Sequence, residues 1–200
     1  VNVVVKEVAP KVESVSAINL RQVVVNFNKD VDVTTAGATD NYKFPADSGL
    51  TVTKADVNGK TVTLTVEGAN QQQTADLTID GVKSADGVDV GKTTQSVKFF
   101  DITAPTVSDV TAVGPKTIKV KFSEPLKSVP TFSLNDGTIA IVNTSFTSGD
   151  SEATLTLGTT PAEGSYNLKV SGGADFAGFK IDEVTKTFNF SADKVAPTLT

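Results

Sequence analysis

The sequence predicts an all-β chain of two tandem immunoglobulin-like antiparallel β-sandwich domains, on three observations. One long segment repeats, apolar and polar residues alternate through short runs, and turn signals separate the runs at close intervals. The repeat is clearest at Ala9-Pro10-Lys11-Val12-Glu13-Ser14-Val15, which returns as Ala104-Pro105-Thr106-Val107-Ser108-Asp109-Val110. It begins again at Ala196-Pro197-Thr198-Leu199, so the spacings are 95 and 92 residues. That is too long for a solenoid repeat and suits one sandwich. The expected division is residues 1–8 as the end of a preceding linker, 9–103 as the first domain, 104–195 as the second, and 196–200 as the start of a third repeat. The array of domains is therefore expected to continue past Thr200.

The strands follow from the alternation. Val23, Val25 and Phe27 match Ile118, Val120 and Phe122, all 95 positions later. A period of two puts Ile118, Val120 and Phe122 on a core face and Lys119 and Lys121 in solvent. Val62, Leu64 and Val66 match Ala153, Leu155 and Leu157, 91 positions on. Leu77 and Ile79 match Leu168 and Val170, and Val97 and Phe99 match Phe188 and Phe190, at the same offset. Turns are signalled at Asn58-Gly59, Asp86-Gly87, Asn135-Asp136-Gly137, Ser148-Gly149-Asp150 and Gly172-Gly173, where glycine and its neighbours supply the positive φ of tight hairpins. No long stretch carries a helical period, and Val31–Asn41 holds at most one turn. Roughly seven strands fall in each half, the number of an immunoglobulin-like sandwich.

Composition narrows the chemistry. The 200 residues include no Cys, His, Met or Trp. This rules out disulfides, thiolate nucleophiles, a Ser-His-Asp triad and Cys- or His-ligated zinc. The absence of Cys fits a Gram-positive cell-wall protein, as it also fits a cytosolic one. Acidic residues outnumber basic ones 23 to 18, which speaks against a nucleic-acid partner. Carboxylates are the one plentiful class of metal ligand, and oxygen ligands suit Ca²⁺. No apolar run approaches the ~20 residues of a membrane helix.

Three segments carry a family resemblance: Lys11 to Asn19, Phe122-Ser123-Glu124-Pro125-Leu126, and Val170 to Gly178. They resemble the immunoglobulin-like repeats of surface-layer (S-layer) proteins of bacilli, of the square-lattice type anchored through S-layer homology domains. The resemblance spans the whole chain. It implies a secreted, non-enzymatic structural protein of the cell wall that self-assembles with copies of itself into a calcium-dependent two-dimensional lattice. The other implied partners are further immunoglobulin-like domains of the same chain. Wall polymer would be reached only through domains outside this segment. The same domain type also serves as a stalk in adhesins and wall-associated hydrolases, and flanking sequence separates the two readings. A carbohydrate-binding module and an enzyme rank behind both.

The candidate metal site follows from strand parity. If the strand near Val107–Val113 runs away from the linker, the strand Thr117–Phe122 returns to it and carries Glu124 there. By the same parity the loop holding Asp175 reaches that end, where Asp101 sits in the linker. Asp101, Glu124 and Asp175 are thus a candidate Ca²⁺ cage that would stiffen the linker. A looser counterpart is Glu7, Asp30, Asp32 and Asp86, and Asp193 would begin a third site. Because Glu124 aligns with Lys29, the first site would have to draw on Asp30 or Asp32 instead. The competing reading of all these acids is local turn capping. No segment has the pattern of an EF-hand loop.

The remaining features read as structure. Pro10, Pro105 and Pro197 stiffen linkers, and Pro125 ends a strand. Phe27, Phe99, Phe122, Phe188 and Phe190 lie on the apolar beat, Tyr42 and Phe132 occupy third strands, and Tyr166 anchors the start of a late strand through its hydroxyl. A sugar platform is the alternative reading of these aromatics.

Overall fold

The computed structural model describes residues 8–191. The chain divides into two compact units, Val1–Asp101 and Ile102–Thr200.

In the first unit the alternating segments become β1 (Val12–Ala17), β2 (Gln22–Phe27), β3 (Tyr42–Lys43), β4 (Thr51–Asn58), β5 (Thr61–Glu67), β6 (Thr74–Ile79) and β7 (Thr93–Lys98). One sheet has the order β1-β2-β5-β4 and the other β3-β6-β7, with antiparallel pairing throughout. The register of the central pair sets Val23 opposite Leu64 and Val25 opposite Val62. Their side chains, with those of Phe27 and Val66, are buried, as are Leu77, Ile79 and Val97 of the second sheet and Phe99 just beyond β7. At the β4–β5 turn Gly59 takes φ +58°, the left-handed value expected of Asn-Gly. The stretch after β2 forms a single helical turn, α1 (Val33–Ala36), and a 3₁₀ turn, Thr39–Asn41. Tyr42 is buried beside them and donates its hydroxyl to the Ala36 carbonyl at 2.9 Å. Burial pushes its phenol well above the ordinary value.

The second unit repeats the plan with β8 (Val107–Gly114), β9 (Thr117–Phe122), β10 (Thr131–Leu134), β11 (Ile141–Ser145), β12 (Glu152–Leu157), β13 (Gly164–Ala174) and β14 (Lys180–Phe190). Its sheets run β11-β12-β9-β8 and β10-β13-β14. The apolar residues matched between β2 and β9, β5 and β12, and β6 and β13, and Val97 and Phe99 with Phe188 and Phe190, are buried in both copies. Phe188 and Phe190 meet edge-to-face at 5.4 Å, and Tyr166 packs against Phe190 at the same distance. The Tyr166 hydroxyl reaches the Ala162 carbonyl at 2.8 Å, just ahead of β13, and so anchors that strand as its sequence position suggests. Lys121 is exposed, while Lys119 pairs with Glu152 at 2.8 Å on the neighbouring strand.

Seven strands of alternating direction carry the chain in at one end of each unit and out at the other. At the entrance of the first, Asn28 receives Lys11 N–H and donates to the Ala9 carbonyl, each at 2.8 Å. At its exit, the Gln71 side chain accepts from Asp101 N–H at 3.0 Å and donates to the Asp101 carbonyl. At the entrance of the second, Ser123 accepts from Thr106 N–H through its hydroxyl and donates its own N–H to the Thr106 carbonyl, both at 2.9 Å.

Leu64 and Leu155 are fully buried on the central strands. Leu64→Ala and Leu155→Ala should each cost about 2–5 kcal/mol in denaturant unfolding, against less than about 0.5 kcal/mol for Lys121→Ala.

Candidate metal centre

Strand ends place the acidic residues. After β9 the chain turns through Ser123, Glu124 and Pro125, and Leu126 then forms an isolated antiparallel bridge with Asp175. The Ala174 carbonyl beside it accepts from Lys127 N–H at 2.7 Å and Ser128 N–H at 3.1 Å. These bonds tie the loop after β9 to the end of β13. Gly173, at φ +69°, lets the two approach, since a Cβ there would stand 2.6 Å from Pro130 Cγ. Asp175 then folds its own loop: Oδ1 accepts from Gly178 N–H at 2.6 Å and Phe179 N–H at 2.9 Å.

The carboxylate oxygens of Asp101, Glu124 and Asp175 all lie within 4.8 Å of one another. The three residues are 3%, 8% and 0% exposed. Two oxygens bound to one Ca²⁺ at ~2.3–2.6 Å can stand no more than about 5 Å apart, so this spacing fits ligands of a common ion. Burial matters as much as distance. Three negative charges so close in a dry site repel strongly, and a divalent cation turns that repulsion into attraction. Both the acids and the spacing therefore fit a hard cation with oxygen ligands.

Asp30, Asp32 and Asp86 do not form a group of three converging carboxylates among the described residues, although Asp30 and Asp86 line one hollow. Among the described residues, the only group of three potential ligands is the one containing Asp101. Asp32 caps α1 by accepting from Thr35 N–H at 2.8 Å. That bond, helped by the Thr35 hydroxyl, lowers its carboxyl below the ordinary 3.8. Asp86 accepts from the Ser84 hydroxyl and pairs with Lys29 at 3.5 Å. The Ser84 bond and then the lysine charge lower it as well. Asp30 is exposed, and its carbonyl accepts from Ala85 N–H at 2.8 Å. Local turn chemistry has claimed Asp32 and Asp86. Glu7 and Asp193 lie outside the described residues.

Two contributors escaped the sequence reading. Gln71 holds the main chain of Asp101, and nothing in the β5–β6 turn marks it. Ser84, rather than Asp86, is the counterpart of Asp175: Val31 bridges Ser84 as Leu126 bridges Asp175. The offset of 91 that aligns the neighbouring strands leads from Asp175 to Ser84, so that signal was available.

Fold and site together define a pair of immunoglobulin-like sandwiches with a buried carboxylate cluster beside the second. The chain is homologous to bacterial surface-layer proteins. It is 49% identical over 189 residues to an outer cell wall protein of Brevibacillus brevis, a match covering 94% of this chain and 18% of that protein. It is 33% identical over 196 residues to a surface-layer 125 kDa protein of Lysinibacillus sphaericus, covering 96% and 17%. The chain thus spans under a fifth of either relative. Among solved structures, the surface layer protein SbsC, domains 1–6, superposes with a TM-score of 0.55 at 20% identity, covering 90% of this chain and 26% of that one. The S-layer protein rSbsC(31-844) gives 0.54 at 20% identity, with the same coverage. These likenesses show the fold. No protein-family model matches the chain.

The Asp32 cap has a pH signature. A carboxyl whose folded value is depressed stabilises the fold above its unfolded value, and that stabilisation is lost as pH falls through the folded one. The melting-temperature gap between the native chain and Asp32→Ala should therefore be full at neutral pH and close as the pH drops below 3.8. A gap that ignores pH would show that the ionised form contributes nothing.

Proposed function

We propose that this chain is a structural, non-enzymatic part of a secreted surface-layer protein, whose tandem sandwiches form part of a self-assembling lattice on the bacterial cell wall. The observation that carries this reading is the 49% identity, sustained over 94% of the chain, to an outer cell wall protein. A likeness at this level over nearly the whole chain is more than a shared fold. The sandwiches suit the role physically. Each buries its core without Cys, and each passes the chain from one end to the other, so repeats can be strung in series. Partners in this reading are copies of the same protein and further domains of the same chain.

Calcium is the second part of the proposal. Asp101, Glu124 and Asp175 would supply carboxylate oxygens, and backbone carbonyls or waters the rest of a six- to eightfold shell. Bound there, the ion would hold Asp101 and the loops that carry Glu124 and Asp175 in one arrangement.

A calcium excess of about 100-fold over Kd should stabilise the chain by about 2.7 kcal/mol, a rise of several degrees in the melting temperature that EDTA reverses. Asp175→Asn should abolish the calcium response. In electron microscopy, the full-length protein should form ordered sheets with calcium and lose them in EDTA. Ordered sheets in both conditions would sink the calcium part alone. A monomeric full-length protein that never forms sheets would point to a stalk instead.

A further inference from the structure

The two units differ in the charged side chains they carry at matched positions near the strand ends. Their loops are register-matched with little ambiguity. Asp32 N–H donates to the Lys83 carbonyl at 2.9 Å in the first, and Lys127 N–H to the Ala174 carbonyl at 2.7 Å in the second. Phe27 N–H donates to the Lys60 carbonyl, and Phe122 N–H to that of Ser151, both at 2.8 Å. With the bridges Val31–Ser84 and Leu126–Asp175, these bonds fix three equivalences. Lys29 stands where the second unit has Glu124, Lys60 where it has Ser151, and Ser84 where it has Asp175.

Ser84 and Asp175 are both 0% exposed, so this is a change of chemistry at one buried position. In the first unit the Ser84 hydroxyl turns to the Asp86 carboxylate and to the Val88 carbonyl. The Lys29 ammonium sits 3.5 Å from Asp86 Oδ2, with its side chain 26% exposed. The surrounding hollow, about 290 Å³, is lined by Asn28, Lys29, Asp30, Lys60, Ala85 and Asp86. Among the described residues the hollow is lined by two lysines as well as two aspartates, and the Lys29 ammonium already pairs with Asp86. A divalent cation entering it would be repelled by that ammonium. The cluster of Asp101, Glu124 and Asp175, by contrast, contains three carboxylates.

We infer that Lys29 is a built-in cation that takes the place of the metal ion in the first unit, so that the exchanges Lys29 for Glu124 and Ser84 for Asp175 decide which repeat depends on calcium. The inference rests on the calcium reading of the second unit. Under it, a divalent cation is used at one repeat and made unnecessary at the other by two side chains on an unchanged backbone. A partly exposed lysine also works differently from an ion: it cannot be chelated, and its pairing weakens with salt.

The experiment is calcium binding by isothermal titration calorimetry on the full chain, with thermal unfolding in calcium and in EDTA alongside. The native chain should bind one ion, and the double variant Lys29→Glu/Ser84→Asp two, because Asp86 is already in place. Glu124→Lys should bind none, and its melting temperature should be the same in calcium and EDTA. This second variant keeps the test decisive should the double variant fail to fold. One ion in the native chain and still one in a folded Lys29→Glu/Ser84→Asp variant would overturn the inference and leave the calcium reading intact. A Glu124→Lys variant that still binds would do the same. A native chain that takes up no calcium would overturn the calcium reading and the inference with it.

Discussion

Both sandwiches depend on one-sided burial along strands whose side chains alternate. Along β2 and β5, Val23, Val25, Phe27, Val62, Leu64 and Val66 point inward, and no residue of opposite parity does. A slip of one residue in the Val25–Val62 pairing would turn that whole set toward water. With no Cys available to staple the fold, this parity sets the register, and the register sets everything at the ends of the sheets. The bridges Val31–Ser84 and Leu126–Asp175 lie just beyond the paired strands and inherit their alignment. The acidic cluster is in this sense a product of core packing: Glu124 and Asp175 follow strands whose Phe122 and Val170, from the two different sheets, are buried in one core.

Much of this was legible in the sequence, and for a physical reason. Alternation and internal repetition are core properties, and a buried position tolerates few residue types, so matched pairs such as Phe27 and Phe122 remain recognisable across the repeat. Strand parity alone brought Asp101, Glu124 and Asp175 to one end of a sandwich. Asp32 and Asp86 take up turn chemistry for an equally physical reason. A loop aspartate has two options of similar energy, a turn or helix cap and a ligand, and composition does not choose between them. Asp32 precedes a helical turn that was legible, yet its capping bond to Thr35 was not. Asp86 looked like the partner of Asp175 because both are acids in the late loop. The backbone pairing that assigns that place to Ser84 depends on where β6 and β13 stop, and strand ends are the hardest features to read from one sequence.

The contrast between the two units separates scaffold from chemistry. The same pairings, with near-identical hydrogen bonds at Asp32 and Lys127, present Lys29 and Ser84 in one repeat and Glu124 and Asp175 in the other. None of these four residues belongs to the apolar core. Charge at the entrance of a sandwich can therefore vary while the core is conserved in kind. This is how a repeated domain acquires individual behaviour without risking its fold. The likeness to SbsC, at 20% identity, is a likeness of fold.

The odd number of strands has a consequence for how such a protein can grow. An even number would bring the chain back to the end where it entered, and inserting such a domain would leave a side branch. Seven strands hand the chain onward, so a gene segment encoding one repeat can be duplicated, deleted or exchanged in frame without rerouting its neighbours. Length then becomes a quantity that recombination can adjust in whole steps. The residues around Ala9-Pro10 and Ala104-Pro105 are the seams along which that editing would run.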